Sequence, residues 1–452
     1  MESSLEKKYG LLTAIAMVVG IVIGSGVFFK AEKILTATGG NLPLGILAWV
    51  IGGVIMIVCA FTFSVLANRY ERVNGIVDYA EAALGKKYGY FTGWFMATIY
   101  YPTLTAVLAW VSARYTCVLL GWNITGGECM TIAAFFLVAA YALNTLSPVL
   151  AGKFQISATA IKLVPLALMA VVGTVVGLAN GMVSRNFTTV VQEVAPSTAL
   201  FTAVVATAFA YEGWIVATSI NAELRNSKRN LPIALVAGAF LVMAVYILYY
   251  IGLSGAVTNE TLMAGGQEGA KLAFQTLFSS VAGTLLFVFV IVSCLGTLNG
   301  LMVGCTRGMY SVAVRGEGPR PDVFIQVDKA TNMPTNSSII GLLLAGVWLV
   351  FFYGANLTKP WFGFFCFDSS ELPIVTIYAM YIPIFIMLMK KEKDLPAFKR
   401  FVAPALSILG SAFMIVAAVF AHRMAVVAYL VVFSAVMGVG AFFARPKKAK
   451  AA

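Results

Sequence analysis

The sequence predicts an all-α polytopic membrane protein with 12 transmembrane helices, two halves of five followed by helices 11 and 12. Three observations carry this prediction. Of 452 residues, 60% are hydrophobic and only 11% are charged, whereas an ordinary soluble domain is about 25% charged. Apolar runs long enough to cross a bilayer as helices recur along the whole chain. The first and sixth runs carry glycine at mid-span, where a continuous helix is weakened.

Apolar runs between charged or turn-rich breaks place the spans at about 11–38, 42–67, 91–119, 129–150, 154–178, 199–222, 232–257, 272–313, 338–353, 362–389, 401–421 and 425–444. Helices 1–5 then occupy about 11–178, helices 6–10 about 199–389 and helices 11–12 about 401–444, in a single transmembrane domain over 1–452. No small-residue cleavage site follows the first run, so it reads as a span and not as a cleaved signal peptide. Loop charge sets the orientation. The termini and alternate loops hold 22 Lys and Arg residues, while the remaining loops hold only Arg185, Lys271, Lys359 and Arg423. That asymmetry puts both termini in the cytoplasm of a cell (plasma or inner) membrane. The net charge of +12 is read as this topology signal and not as nucleic-acid binding. The six cysteines show neither zinc spacing nor a paired loop pattern, so no disulfide framework is expected.

The first span holds Gly24-Ser25-Gly26 within an uncharged run over 9–29. An unwound backbone at membrane depth must line a cavity or be buried in protein. Such a break makes two half-helices, and the N-terminus of the second directs partial positive charge at the gap. The gap is therefore a candidate site for a carboxylate. The alternative is that Gly24 and Gly26 only allow close helix packing. The loop at 68–90 has helical apolar spacing and reads as a short helix at the membrane interface. The sixth span reads Phe209-Ala210-Tyr211-Glu212-Gly213-Trp214, again with glycine at mid-span. Breaks in the first span of each half are the pattern of a transporter built from inverted repeats, with its site at mid-membrane. The segment 259–271, with its Gly265-Gly266 pair, is either a lid or a plain connecting loop.

Three ionisable residues within apolar spans are singled out: Lys162, Glu212 and Arg307. Lys162 is either a structural cation holding the broken helices or a lysine snorkelling to the cytoplasmic face. Glu212 either faces the cavity or is a buried, protonated spacer. Arg307 reads as an interfacial anchor. Phe209 abuts the second break, where an aromatic ring could lie over a small ligand. Tyr100-Tyr101-Pro102 is either a side wall or a proline kink with packed tyrosines. The hydroxyl and amide groups over 293–299 either face the site or bond neighbouring helices. No catalytic constellation is seen. The one histidine, His422, falls at an outer loop, so neither a histidine-based triad nor a zinc site is expected. There is no nucleotide motif, and neither cofactor nor metal is expected.

Val19-Gly20-Ile21-Val22-Ile23-Gly24-Ser25-Gly26-Val27-Phe28 resembles the first-helix signature of the amino acid–polyamine–organocation superfamily. With 209–214, Glu223-Leu224-Arg225-Asn226-Ser227-Lys228-Arg229-Asn230-Leu231-Pro232 and 293–300, the chain resembles the L-type amino acid transporters, the light-subunit class of heteromeric exchangers. That resemblance implies a 5+5 inverted-repeat fold and sodium-independent amino acid exchange by alternating access. It implies that Ser25 and the Gly26 N–H meet the substrate carboxylate, and that carbonyls of Val22, Phe209 and Glu212 meet its ammonium. It makes Phe209 the external gate. It places Lys162 near the site that sodium occupies in related symporters, with Ser293 beside it, and adds Tyr246 of helix seven. The family often has glycine or aspartate where Glu212 stands. Its animal members carry a cysteine in the loop after helix three that bonds a heavy subunit. Residues 121–127 have none and Cys129 falls too late, so no covalent heavy subunit is expected. The function read from the sequence is exchange of small neutral amino acids such as alanine, serine and cysteine, with proton-coupled symport as the alternative. The expected partners are those substrates and membrane lipid.

Overall fold

The computed structural model describes residues 10–70, 75–217, 224–357 and 359–444. The chain enters through α1 (Leu11–Val22) and α2 (Gly26–Ala37), which meet at a bend of 54°. Then come α3 (Leu42–Arg69), α4 (Ile76–Leu84), α5 (Lys86–Leu120), α6 (Gly127–Leu146) and α7 (Pro148–Ala179). The second half holds α8 (Pro196–Ala210), α9 (Trp214–Ala217), α10 (Ser227–Ala256), α11 (Asn259–Gly265), α12 (Gln267–Phe278), α13 (Ser280–Ala313), α14 (Thr335–Ala355) and α15 (Leu372–Lys391). It is followed by α16 (Phe398–His422) and α17 (Met424–Phe443). Ten of these helices are long and apolar enough to cross a membrane, and the bent α1–α2 pair makes an eleventh span. α8 is apolar but shorter, and part of the stretch after its break, 218–223, lies outside the described residues.

Two predicted starts move for local reasons. Span eight begins at Ser280 because Ser279 takes a left-handed φ of 72°, which separates α12 from α13. Span ten begins at Leu372, because Asp368 turns the preceding chain by accepting from Ser370 N at 2.8 Å. The helix at 76–84 forms, but it does not lie with its apolar face in lipid. Ile76, Tyr79 and Ala80 are buried, and Asp78 pairs with Arg315 at 2.7 Å. Residues 259–278 fold as two short helices about Gly266 (φ 51°), and Asn259 Nδ2 donates to Gly40 O at 2.8 Å.

The membrane helices pack around the two breaks. α1 lies along α10, and α2 lies along α8. α13 packs against α5, α7 and α14. The core reflects this, with Trp49, Trp214, Tyr211, Tyr246, Tyr249 and Tyr381 all fully buried at the centre. Hydrophobic side chains left exposed, such as Leu12, Val281 and Phe442, are what a lipid-facing surface carries.

Candidate functional site: two broken helices facing each other

α1 ends at Val22 because Ile23 turns extended (ψ 107°), and α2 restarts at Gly26 behind Ser25. α8 ends at Ala210, and the turn 211–213 closes on Gly213, whose φ is 105°. That backbone state is strained for any residue with a Cβ. The two breaks pack directly on each other. A Cβ added to Gly26 would stand 2.5 Å from Ala210 Cα, and one on Gly213 would stand 3.3 Å from Ile21 O. Gly26 is thus required by close packing, whatever else it does.

Tyr246 on α10 ties the two breaks together. Its hydroxyl lies 3.1 Å from Val22 O and 3.1 Å from Ala210 O. Its ring stacks on Tyr211 at 5.3 Å, and Tyr211 donates to Trp49 O at 2.9 Å. These carbonyls belong to helix ends, where acceptors lack partners in their own helix.

The start of α2 is the other half of the site. Phe29 N donates to Ser25 O at 3.0 Å and begins the helical ladder. The N–H groups before it have no acceptor in their own helix, and with the dipole they attract an anion. Ser25 is fully buried, and its N–H donates to Thr297 Oγ1 at 3.3 Å. Its side-chain Oγ is buried without a partner. Phe209 is also buried, set edge-on to Phe29 at 5.8 Å.

Glu212 is paired across the site with Tyr100. The tyrosine hydroxyl donates to Glu212 Oε1, while Oε2 is buried with no partner. Tyr100 closes a π-helical turn over Met96–Tyr100, a local widening that re-aims side chains. Pro102 follows this turn closely, Tyr100 and Tyr101 pack edge-on at 5.4 Å, and the helix continues to Leu120.

Lys162 on α7 is buried and donates to Gly20 O at 2.7 Å. Its head is thus turned to the end of α1, where snorkelling would have sent it toward the membrane surface. Ser293 Oγ has no partner, so the serine expected beside Lys162 does not accept from it. Thr297, one turn on, reaches the first break by accepting from Ser25 N. Asn299 instead bonds neighbouring helices, to Asn144 at 2.9 Å and Gln155 at 3.0 Å.

Sequence reasoning singled out too few ionisable residues. Lys30, Glu32, Lys33, Arg114, Asp368 and Glu371 also fall within the predicted spans. Lys30 and Glu371, both almost fully buried, pair at 2.6 Å. Lys33 reaches Asp368 at 2.6 Å and Glu371 at 2.8 Å. His422 is not isolated, because its Nε2 lies 2.9 Å from Glu371 Oε2. A signal was present: Lys30/Lys33 and Asp368/Glu371 share the three-residue spacing that puts two side chains on one face of a helical turn.

Two broken helices whose breaks pack on each other, among described residues that form many apolar helical spans, define a transporter of the broken-helix class. The chain belongs to the amino acid permease family, whose model matches residues 9–442. It is similar to the serine/threonine exchanger SteT of Bacillus subtilis (strain 168), 27% identical over 421 residues, covering 92% of this chain and 91% of SteT. It is also similar to the human b(0,+)-type amino acid transporter 1, 27% identical with 92% and 83% of the two chains covered. The large neutral amino acids transporter small subunit 2 of Rattus norvegicus is 28% identical, with 73% and 62% covered. Among solved structures, MhsT in complex with L-phenylalanine shares the fold, with a TM-score of 0.55 at 16% identity, covering 95% of this chain and 99% of MhsT.

Proposed function

We propose that the protein is a sodium-independent exchanger of small neutral L-amino acids in the plasma or inner membrane, with the lysine-rich loops and both termini on the cytoplasmic side. The observation that carries this is the 2.7 Å bond from the buried Lys162 ammonium to Gly20 O. A cation that ties the broken first helix in sodium-coupled relatives is replaced here by one that never leaves the protein. The substrate carboxylate meets Ser25 and the N–H of Gly26 at the positive end of α2. The ammonium meets carbonyls of Val22, Phe209 and Glu212, and Phe209 closes the way out. Glu212 and Tyr100 fill the space where a large side chain would sit. Cys129 is fully buried and the loop before it has no cysteine, which supports a chain that works without a covalently bonded partner.

The test is uptake of labelled alanine or serine into liposomes with and without internal amino acid, sodium and a pH gradient. Exchange requires internal substrate and ignores sodium. A second reading, proton-coupled symport, is favoured by one observation, the buried and unpartnered Oε2 of Glu212. Uptake into empty vesicles driven by the pH gradient would select it.

A further inference from the structure

Tyr381, midway along α15, is fully buried, and its hydroxyl has no hydrogen-bond partner among the described residues. Its ring is held by aromatic neighbours, with centres at 4.8 Å for Phe63, 5.4 Å for Tyr378 and 5.7 Å for Trp214. Packing alone thus fixes where the hydroxyl sits. α15 lies against α8 and against the π-helical turn of α5 that ends at Tyr100. Of the titratable groups around Tyr381, Glu212 acts on it most strongly. Tyr100 donates to Glu212 Oε1 from the other side. The Gly213 N–H lies near the same carboxylate, but Oε2 is left buried without a hydrogen-bond partner. Beside the second break, then, a carboxylate oxygen and a phenol hydroxyl are both buried and both unpaired.

We infer that Glu212 and Tyr381 form a subsite for a hydroxyl on the substrate side chain, so that β-hydroxy amino acids are preferred to their methyl analogues. The inference deepens the exchange reading of the same site and rests on it. Buried polar atoms are costly to leave unpaired, and few persist in native proteins. Here one atom needs a donor and the other can donate. The group that completes both must donate and accept at once. A hydroxyl does so, and a thiol does so weakly. A methyl group does neither. An ammonium or guanidinium only donates, and a carboxylate only accepts. The side-chain hydroxyl of serine donates to Glu212 Oε2 and accepts from the Tyr381 hydroxyl. Glu212 belongs to the break whose carbonyls would take the substrate ammonium, so the hydroxyl required is a near one, on the β-carbon. Tyr100 holds the other carboxylate oxygen and acts as a positioning residue.

L-Serine and L-2-aminobutyrate test this directly, because they differ only in a hydroxyl against a methyl group of similar size. Their binding to the full chain, purified in detergent, is measured by calorimetry. The parent is expected to bind serine at least about tenfold more tightly, because a site built to bond a hydroxyl rejects the analogue that lacks it. Tyr381→Phe keeps the ring and its packing and removes only the hydroxyl. It is expected to lower the serine to 2-aminobutyrate ratio at least about threefold, the scale of one neutral hydrogen bond, with the loss falling on serine. A merely structural tyrosine would weaken both ligands together and leave the ratio as it was. Glu212→Gln replaces an acceptor-only group and should lower the same ratio. Equal binding of the two ligands by the parent overturns the inference. So does a parental ratio in Tyr381→Phe, which would mean that water already satisfies the two atoms. If Tyr381→Phe does not fold, the parent and Glu212→Gln decide by the same ratio. Binding needs no transport, so loss of the ratio and failure of the exchange assay are separate results. A parent that binds neither ligand overturns both readings.

Discussion

The Lys162 ammonium donates to the carbonyl of Gly20, 2.7 Å away across α7 and α1. It meets the last turn of α1 just before the chain unwinds, where carbonyls have lost their helical partners. A charge-assisted bond in a buried setting is worth about 1.5–3 kcal/mol. The bond therefore joins the last turn of α1 to α7. Lys162→Ala should slow exchange at least about tenfold, at the lower end of that energy range, with little change in substrate affinity. Added sodium should not restore the rate, because alanine offers no ligand oxygen. Affinity and exchange rate, measured separately in liposomes, check this. Unchanged exchange kinetics would mean that the Gly20 contact is incidental.

The glycines of the two breaks should differ in their response to alanine. A Cβ at Gly26 meets the backbone of Ala210 at 2.5 Å, which cannot yield without separating α2 from α8. At Gly24 it meets the Thr297 Oγ1 at 3.0 Å, a side chain that can rotate. At Gly213 the cost is in the backbone, about 1–2 kcal/mol for a left-handed residue with a Cβ. Gly26→Ala should therefore lose exchange and melting temperature together, while Gly24→Ala should keep most of both. Thermal unfolding in detergent beside an exchange assay separates them. A stable, active Gly26→Ala protein would show that α2 and α8 sit farther apart than described.

Substrate size is tested at Glu212 and Tyr100. Their mutual hydrogen bond fixes two bulky groups beside the second break, and overlap rejects large ligands more strongly than an extra methylene is rewarded. Alanine, serine and cysteine should compete for uptake better than tryptophan or arginine. Tyr100→Phe removes the side-chain donor to Glu212, so it should weaken alanine exchange without widening selectivity. Stronger competition by arginine than by alanine would mean that the free Glu212 oxygen is a cation site.

The spans, the two breaks and most residues around them were legible because lipid imposes long apolar runs and makes a mid-span glycine conspicuous. What could not be read was which polar groups face one another across helices. Thr297 meets the first break only because α13 passes at a particular angle, and no periodicity encodes that. The family resemblance alone singles out Tyr246, without the two carbonyls it bridges. The Lys30–Glu371 pair was overlooked for a related reason. Each charge taken singly resembles a residue near a span end, and only the folded chain brings positions 341 apart in sequence to 2.6 Å. The displaced start of α15 follows from the side chain of Asp368, which a hydropathy pattern does not see.

Tyr246 gives the sharpest test of whether the two breaks act as one unit. Its hydroxyl lies 3.1 Å from each of two carbonyls that end different half-helices, Val22 O and Ala210 O. Its ring is separately held by Tyr211 at 5.3 Å and Trp49 at 5.5 Å. Tyr246→Phe therefore removes the bridge and leaves the packing. A buried carbonyl that loses its donor costs about 1–3 kcal/mol, so the variant should melt lower. The informative quantity is transport. Val22 O is also a proposed acceptor for the substrate ammonium, and without the tyrosine hydroxyl it is freed to accept from it. Substrate affinity should then hold or rise while exchange slows, because α1 and α8 no longer move as a pair. Binding isotherms and exchange rates on the same preparation check this. Affinity and rate falling together would instead make the tyrosine part of the binding site itself, with its hydroxyl acting on the substrate and not on the helix ends.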